Sequence, residues 1–213
     1  MIIVALAMTF LASGASRKVD FSDDAAGQPP KGFEFGHTAR AGAPGKWVVE
    51  SEGANKYLAQ IDPDRTRARF PVAVLSDVSA ADVDLSVRFR PVSGRVDQAA
   101  GLVWRFQNED NYYIVRANAL EQNVVLYKVE NGRRTDLAVK GEGRTYGKKA
   151  PVPSGQWSTL RVVAAGPLFQ VHYNGTMLYE VEDATFRQPG KVGVWTKADS
   201  VTQFDDLTVS ATR

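Results

Sequence analysis

Between Val83 and Arg90 the chain reads Val-Asp-Leu-Ser-Val-Arg-Phe-Arg, and this strict alternation narrows what it can fold into. Neighbouring residues of a strand point to opposite faces, so Val83, Leu85, Val87 and Phe89 share one side and Asp84, Ser86, Arg88 and Arg90 the other. A helix would scatter the same apolar residues around its circumference. The segment is therefore read as a half-buried strand, stopped by Pro91 and Gly94.

The rest of the chain repeats the pattern of β-prone runs between turn residues. Gly101–Gln107 and Tyr112–Asn118 flank the turn-rich Asn108-Glu-Asp-Asn111, which reads as a hairpin. Val124–Val129 leads into Glu130-Asn131-Gly132, and Asn174-Gly175 separates Leu168–Tyr173 from Met177–Val181. Each Asn-Gly pair supplies the two positive φ angles that a type I′ turn needs. Leu160–Ala164, Lys191–Thr196 and Phe204–Ser210 complete the set. No segment sustains a helical period, and a short helix fits only near Ser79–Asp82. Roughly a dozen strands with frequent turn signals predict an all-β, jelly-roll sandwich of two antiparallel sheets. With no internal repeat, linker or composition shift, residues 16–213 are expected to form a single domain.

Composition removes several functions. The 213 residues carry 26 basic and 24 acidic side chains, a net charge of +2, which provides no field for nucleic acid. Cys is absent, so disulfides, thiolate metal sites and a Cys nucleophile are ruled out. The two His, His37 and His172, lie far apart in sequence and make a His-rich zinc site a poor expectation. Met1–Ala12 is an apolar run followed by Ser13-Gly-Ala15-Ser16. It is too short to span a bilayer, which takes about 20 residues, and resembles a signal peptide over residues 1–15 despite lacking a basic residue ahead of the apolar run. The expectation is a secreted or periplasmic protein with no membrane span.

Four separated stretches stand out: Phe21-Ser-Asp-Asp24 with Pro30-Lys-Gly-Phe33, Val96-Asp-Gln-Ala-Ala-Gly101, Asn111–Leu120, and Gly193-Val-Trp-Thr-Lys-Ala-Asp-Ser200 with Phe204-Asp-Asp206. In this order they resemble a large bacterial family of secreted concanavalin A-like domains. Such domains are described as laminin-G-like, family-16-glycosidase-like or 3-keto-disaccharide-hydrolase-like. The resemblance runs from about Val19 to Val209 and implies a jelly roll whose curved sheet holds a saccharide on its concave side. It also implies a structural Ca²⁺ where first and last strands meet, with Asp23 and Asp205 as candidate ligands beside Asp20, Asp24 and Asp206. Turn capping and solvation are the favoured reading of those acids.

The laminarinase-type glycosidases of this fold carry an E-x-D-x-E or E-x-D-x-x-E run, placing nucleophile and acid on one strand face. This chain has no such run; a solvated strand face accounts for its nearest counterparts, Glu180-Val-Glu182 and Asp82-Val-Asp84. The more informative residues lie on a polar sheet face. If Tyr113, Val115 and Ala117 face the core, Tyr112, Arg116 and Asn118 face outward. If Leu102, Trp104 and Phe106 are core, Arg105 is opposite them, and Val192 and Val194 alternate with Trp195 and Lys197. Arg105, Tyr112, Arg116, Asn118, Trp195 and Lys197 would then gather an aromatic plane with fork-like donors, the pairing an oligo- or polysaccharide needs. The competing reading is an ordinary solvated face with Trp195 turned inward. A saccharide-binding module is the lead expectation. The alternative is an enzyme on oxidised or acidic saccharides, a 3-keto-glycoside hydrolase or lyase, with His172, Lys197 or a tyrosine as base.

Overall fold

A computed structural model describes residues 16–38 and 40–211. The expected leader, residues 1–15, lies outside them. In chain order the strands are β1 (Ser16–Val19), β2 (Phe33–Thr38), β3 (Trp47–Glu52), β4 (Asn55–Gln60), β5 (Phe70–Leu75), β6 (Val83–Ser93), β7 (Ala99–Asn108) and β8 (Asn111–Asn118). There follow β9 (Asn123–Glu130), β10 (Arg133–Asp136), β11 (Lys148–Lys149), β12 (Ser158–Ala165), β13 (Leu168–Tyr173), β14 (Thr176–Glu182), β15 (Lys191–Trp195) and β16 (Val201–Ala211). The first sheet has the order β14-β13-β12-β6-β16-β4-β3, with β1 on β16. The second has the order β10-β9-β8-β7-β15-β5-β2, with β11 on β9. Every pairing is antiparallel. No helix occurs among the described residues; Ser79–Asp82 instead brings Ala80 into a bridge with Gly190.

The alternation of β6 is realised as read, although the strand continues through Pro91, which pairs with Thr202 of β16, and ends at Ser93 before Gly94. Val83, Leu85, Val87 and Phe89 are buried between the sheets beside Leu160 and Val162 of β12 and Leu207 and Val209 of β16. Burial of each such side chain contributes about 1.5–3 kcal/mol, so the first sheet is held by its inner face while its outer face stays wet. Asn131 and Gly132 adopt φ of 51° and 75°, and Asn174 and Gly175 46° and 81°, the left-handed pairs their hairpins require.

The second sheet differs, because both of its faces are covered. Leu102, Trp104, Tyr113, Val115, Val192 and Val194 fill the shared core. A second apolar cluster of Phe70, Val72, Val103, Tyr112, Ile114, Val125, Tyr127 and Trp195 lies on the outer face. Strands buried on both sides read as near-continuous apolar runs, which β7, β8 and β9 show. Packing around β15 is close enough to exclude a side chain at Gly193, where a Cβ would stand 2.0 Å from the Ala73 carbonyl oxygen.

One register expectation fails. Arg105 has φ 48°, and the β7–β8 register shifts between Trp104 and Asn108. The bulge sends Phe106 to the outer face, where its ring lies 5.3 Å from that of Tyr112, and withdraws Arg105 from that face. Arg105 is 1% exposed, with its guanidinium carbon 5.4 Å from the Phe169 ring of the shared core. It donates to the carbonyls of Ala81, Phe186 and Gly166 and to Asp82.

Candidate functional site

Three of the six residues singled out from sequence meet in one hydrogen-bonded chain at an end of the second sheet's outer face. Lys197, just past β15, contacts Asp97 at 2.5 Å. The Asn118 amide donates to Asp97 at 2.5 Å and to Glu121 at 3.3 Å. Arg116 donates to Glu121 at 2.7 Å, to Asn123 at 2.9 Å and to the Tyr146 hydroxyl at 3.1 Å. Tyr127 closes the chain by donating to Tyr146 at 2.9 Å.

Position along this chain decides what each group can do. Asn118 is fully buried, and its carbonyl oxygen accepts from the backbone N–H groups of Leu120 and Glu121. Its polar groups tie the turn after β8 to Asp97, so it positions both Glu121 and Asp97. Arg116 is equally buried, whereas the side chains of Glu121 and Lys197 are 35% and 18% exposed and Tyr146 is 43% exposed. Burial alone would raise the Glu121 carboxyl, but the Arg116 guanidinium and the Asn123 amide hold it below its ordinary value. Burial opposes charge on Arg116, but the negative charges of Tyr127, once ionised, and of Glu121 outweigh it and hold the guanidinium above its ordinary value.

Tyr112 and Trp195 occupy the expected face but are fully buried in its apolar cluster. The Trp195 ring stacks on Phe70 at 5.5 Å, lies 5.5 Å from the Arg134 guanidinium and donates through Nε1 to the Tyr112 hydroxyl at 3.3 Å. The Tyr112 hydroxyl also meets Thr38 at 2.5 Å, and burial pushes its pKa up to about 12. Neither ring offers a free platform. Much of the face expected to be polar is thus apolar, and its chemistry concentrates at one end.

Asp97, Glu121, Arg134 and Tyr146 are additions to the sequence-derived set. Asp97 is held in place from behind. The Asp199 carboxylate accepts the backbone N–H groups of Arg95, Val96 and Asp97, fixing the loop that carries Asp97. Burial by itself would raise the Asp199 carboxyl; these three donors bring it below its ordinary value. A carboxyl lowered on folding contributes stability above its unfolded value, and that contribution is lost as pH falls through the folded one. Asp199→Asn is therefore expected to make the acid-side decline of unfolding free energy shallower, as denaturant titrations at neutral and acid pH would read. An unchanged slope would remove Asp199 from that role.

A groove of about 740 Å³ lies farther along the same face, floored by Val72, Val74 and Phe106 and rimmed by Glu34, Glu109 and Lys191. Its rim charges pair with one another or with neighbours, Lys191 with Glu34 and Arg40 with Glu109. The polar cluster is the better candidate because it keeps buried donors unpartnered, at Arg116 Nε and Arg134 Nη1.

The candidate metal ligands have other occupations. Asp205 is buried, accepts from Asn55 and its own neighbour's N–H, and lies 3.8 Å from Arg88; Asp23 is exposed. Lys56 places its ammonium on the carbonyls of Ser22 and Asp24. Among the described residues no group of three or more metal-ligating side chains is assembled. Glu180 accepts from Gln170, and Glu182 lies 3.8 Å from Lys140. His172 is on the first sheet, its basicity lowered by burial and by Arg161, so it and Lys197 belong to different sheets.

No protein-family model matches the sequence, and no curated protein matches it. Solved structures do. The carbohydrate-binding module CBM66 from Bacillus subtilis aligns with a TM-score of 0.64 at 20% identity, over 84% of this chain and 96% of that one. The fold is a concanavalin A/galectin-like β-sandwich. A protein of unknown function with this galectin-like fold, also from Bacillus subtilis, aligns at 0.57 with 13% identity over 86% and 91% of the two chains. Domain 4 of an extracellular GH43 arabinanase from Geobacillus stearothermophilus, solved with arabinotriose, aligns at 0.56 with 14% identity over 92% and 91%. No helix of the described residues is long and apolar enough to cross a membrane.

Proposed function

We propose that the chain is a saccharide-binding β-sandwich module and that the polar end of the second sheet's outer face is its binding site. The observation that carries this is the half-buried Arg134 guanidinium, without an acceptor among the described residues, in one cluster with part-exposed Glu121 and Lys197 and exposed Tyr146. A bound oxygen-rich ligand supplies the acceptor that its N–H groups lack. Sugars present hydroxyls for Glu121 and Lys197 and a C–H face for the exposed Tyr146 ring. Likeness to carbohydrate-binding modules supports the reading at the level of fold.

Binding of a glycan array by the mature protein tests it, followed by calorimetry on the best ligand. Tyr146→Ala is expected to weaken that ligand by about 1–2 kcal/mol with a melting temperature close to wild type, and Lys197→Ala to weaken it similarly while lowering the melting temperature, because the buried Asp97 carboxylate loses its cation. Unchanged affinity in both would move the site elsewhere. Export belongs to the same proposal: Met1–Ala12 is read as a signal segment, and N-terminal sequencing of exported protein is expected to start near Ser16. Exported material retaining Met1 would contradict it.

A further inference from the structure

Arg134 is the odd cation of the site. It sits on the edge strand β10, and its guanidinium carbon lies 4.4 Å from the Tyr127 ring, 4.7 Å from Phe70 and 5.5 Å from Trp195. Among the described residues it has neither a hydrogen-bond acceptor nor a carboxylate partner, and its Nη1 is buried. Aromatic faces hold a cation but leave its N–H groups unsatisfied. Arg116 approaches the same Tyr127 ring at 5.7 Å and is fully buried with Nε unpartnered. These are the two buried guanidinium atoms without an acceptor among the described residues, and a single ring lies beside both.

Charge counts the same way. Lys197 is matched by Asp97 and Arg116 by Glu121, which leaves Arg134 as an uncompensated positive charge. Neutral sugars supply acceptors but no charge to balance it. A guanidinium in a partly desolvated, aromatic-lined position prefers a planar anion that takes two parallel N–H bonds.

We infer that the site selects an acidic saccharide, with the ring carboxylate of a uronic acid received by Arg134 over the buried Arg116. Glu121 and Lys197 then address hydroxyls of the same or a neighbouring residue. This inference rests on the saccharide-binding reading above and names the ligand class of that site.

The test is calorimetry of the mature chain with trisaccharides of galacturonate, glucuronate and mannuronate, each as free acid and as methyl ester, with neutral and sulfated trisaccharides alongside. At least one free acid is expected to bind roughly tenfold or more tighter than its ester, with affinity falling as salt is raised. Arg134→Gln is expected to erase that preference, acid and ester then binding alike, and Arg134→Lys to restore only part of it. The acid–ester comparison uses the unaltered protein, so it stands even if a variant fails to fold. Equal binding of acids and esters, or a preference for the sulfated or neutral sugar, overturns the carboxylate assignment but keeps a saccharide site. Binding of none of these sugars, with none on the array, overturns the saccharide reading itself.

Discussion

Trp195→Ala is expected to cost about 3–5 kcal/mol of stability, the scale of truncating a fully buried aromatic ring. The sequence pattern placed Trp195 on a ligand-facing surface, where its loss would weaken binding and leave the melting temperature alone. The structure puts it on that face but at 0% exposure, stacked on Phe70, under Arg134 and bonded to the Tyr112 hydroxyl. Removal opens a cavity in the outer cluster and takes one donor from Tyr112. A domain of this size shifts its melting temperature by about 2–4 °C per kcal/mol, so the effect is large in any thermal scan. A melting temperature close to wild type would mean that the ring is free and the site extends over it.

Arg105→Met is expected to destabilise by a similar amount, about 3–5 kcal/mol. The methionine fills part of the volume beside Tyr113 and Phe169 but leaves the carbonyls of Ala81, Phe186 and Gly166 and the Asp82 carboxylate without their common donor. Asp82 keeps a bond from the Gly166 N–H, which limits the loss at that end. Saccharide binding is expected to be unaffected in folded protein, because Arg105 is withdrawn from the candidate face. Loss of affinity with unchanged stability would return Arg105 to the binding surface.

These two residues show where local pattern stops being informative. Period-two alternation placed the inner faces of β6 and β8 correctly, and the two Asn-Gly hairpins turned where expected. It failed at Arg105 because the bulge there uses a left-handed φ at a non-glycine residue, which no turn-residue signal announces. It failed for Trp195 because alternation assigns a side but not what covers that side. The covering comes from distant segments, Phe70 on β5 and Arg134 on β10. Arg116, Asn118 and Lys197 were legible as members of one face; their partners were not. Asp97 sits in the Val96–Gly101 stretch that carried the family resemblance, and Asn118 with Glu121 three residues on marks a turn, but only the β7–β8 pairing brings these groups together. Arg134 gave no signal, since an arginine after a hairpin turn is ordinarily a solvated charge.

The most direct check of the account follows the backbone and arginine side-chain NMR signals of ¹⁵N-labelled mature protein during titration with its saccharide. The account predicts shifts gathered at Asp97, Arg116 including its Nε–H, Glu121, Arg134, Tyr146 and Lys197, with the first sheet silent. Shifts gathered instead around Tyr57, Arg88, Arg90 and Trp157 on the outer face of that first sheet, with the Arg116 Nε–H unmoved, would contradict it.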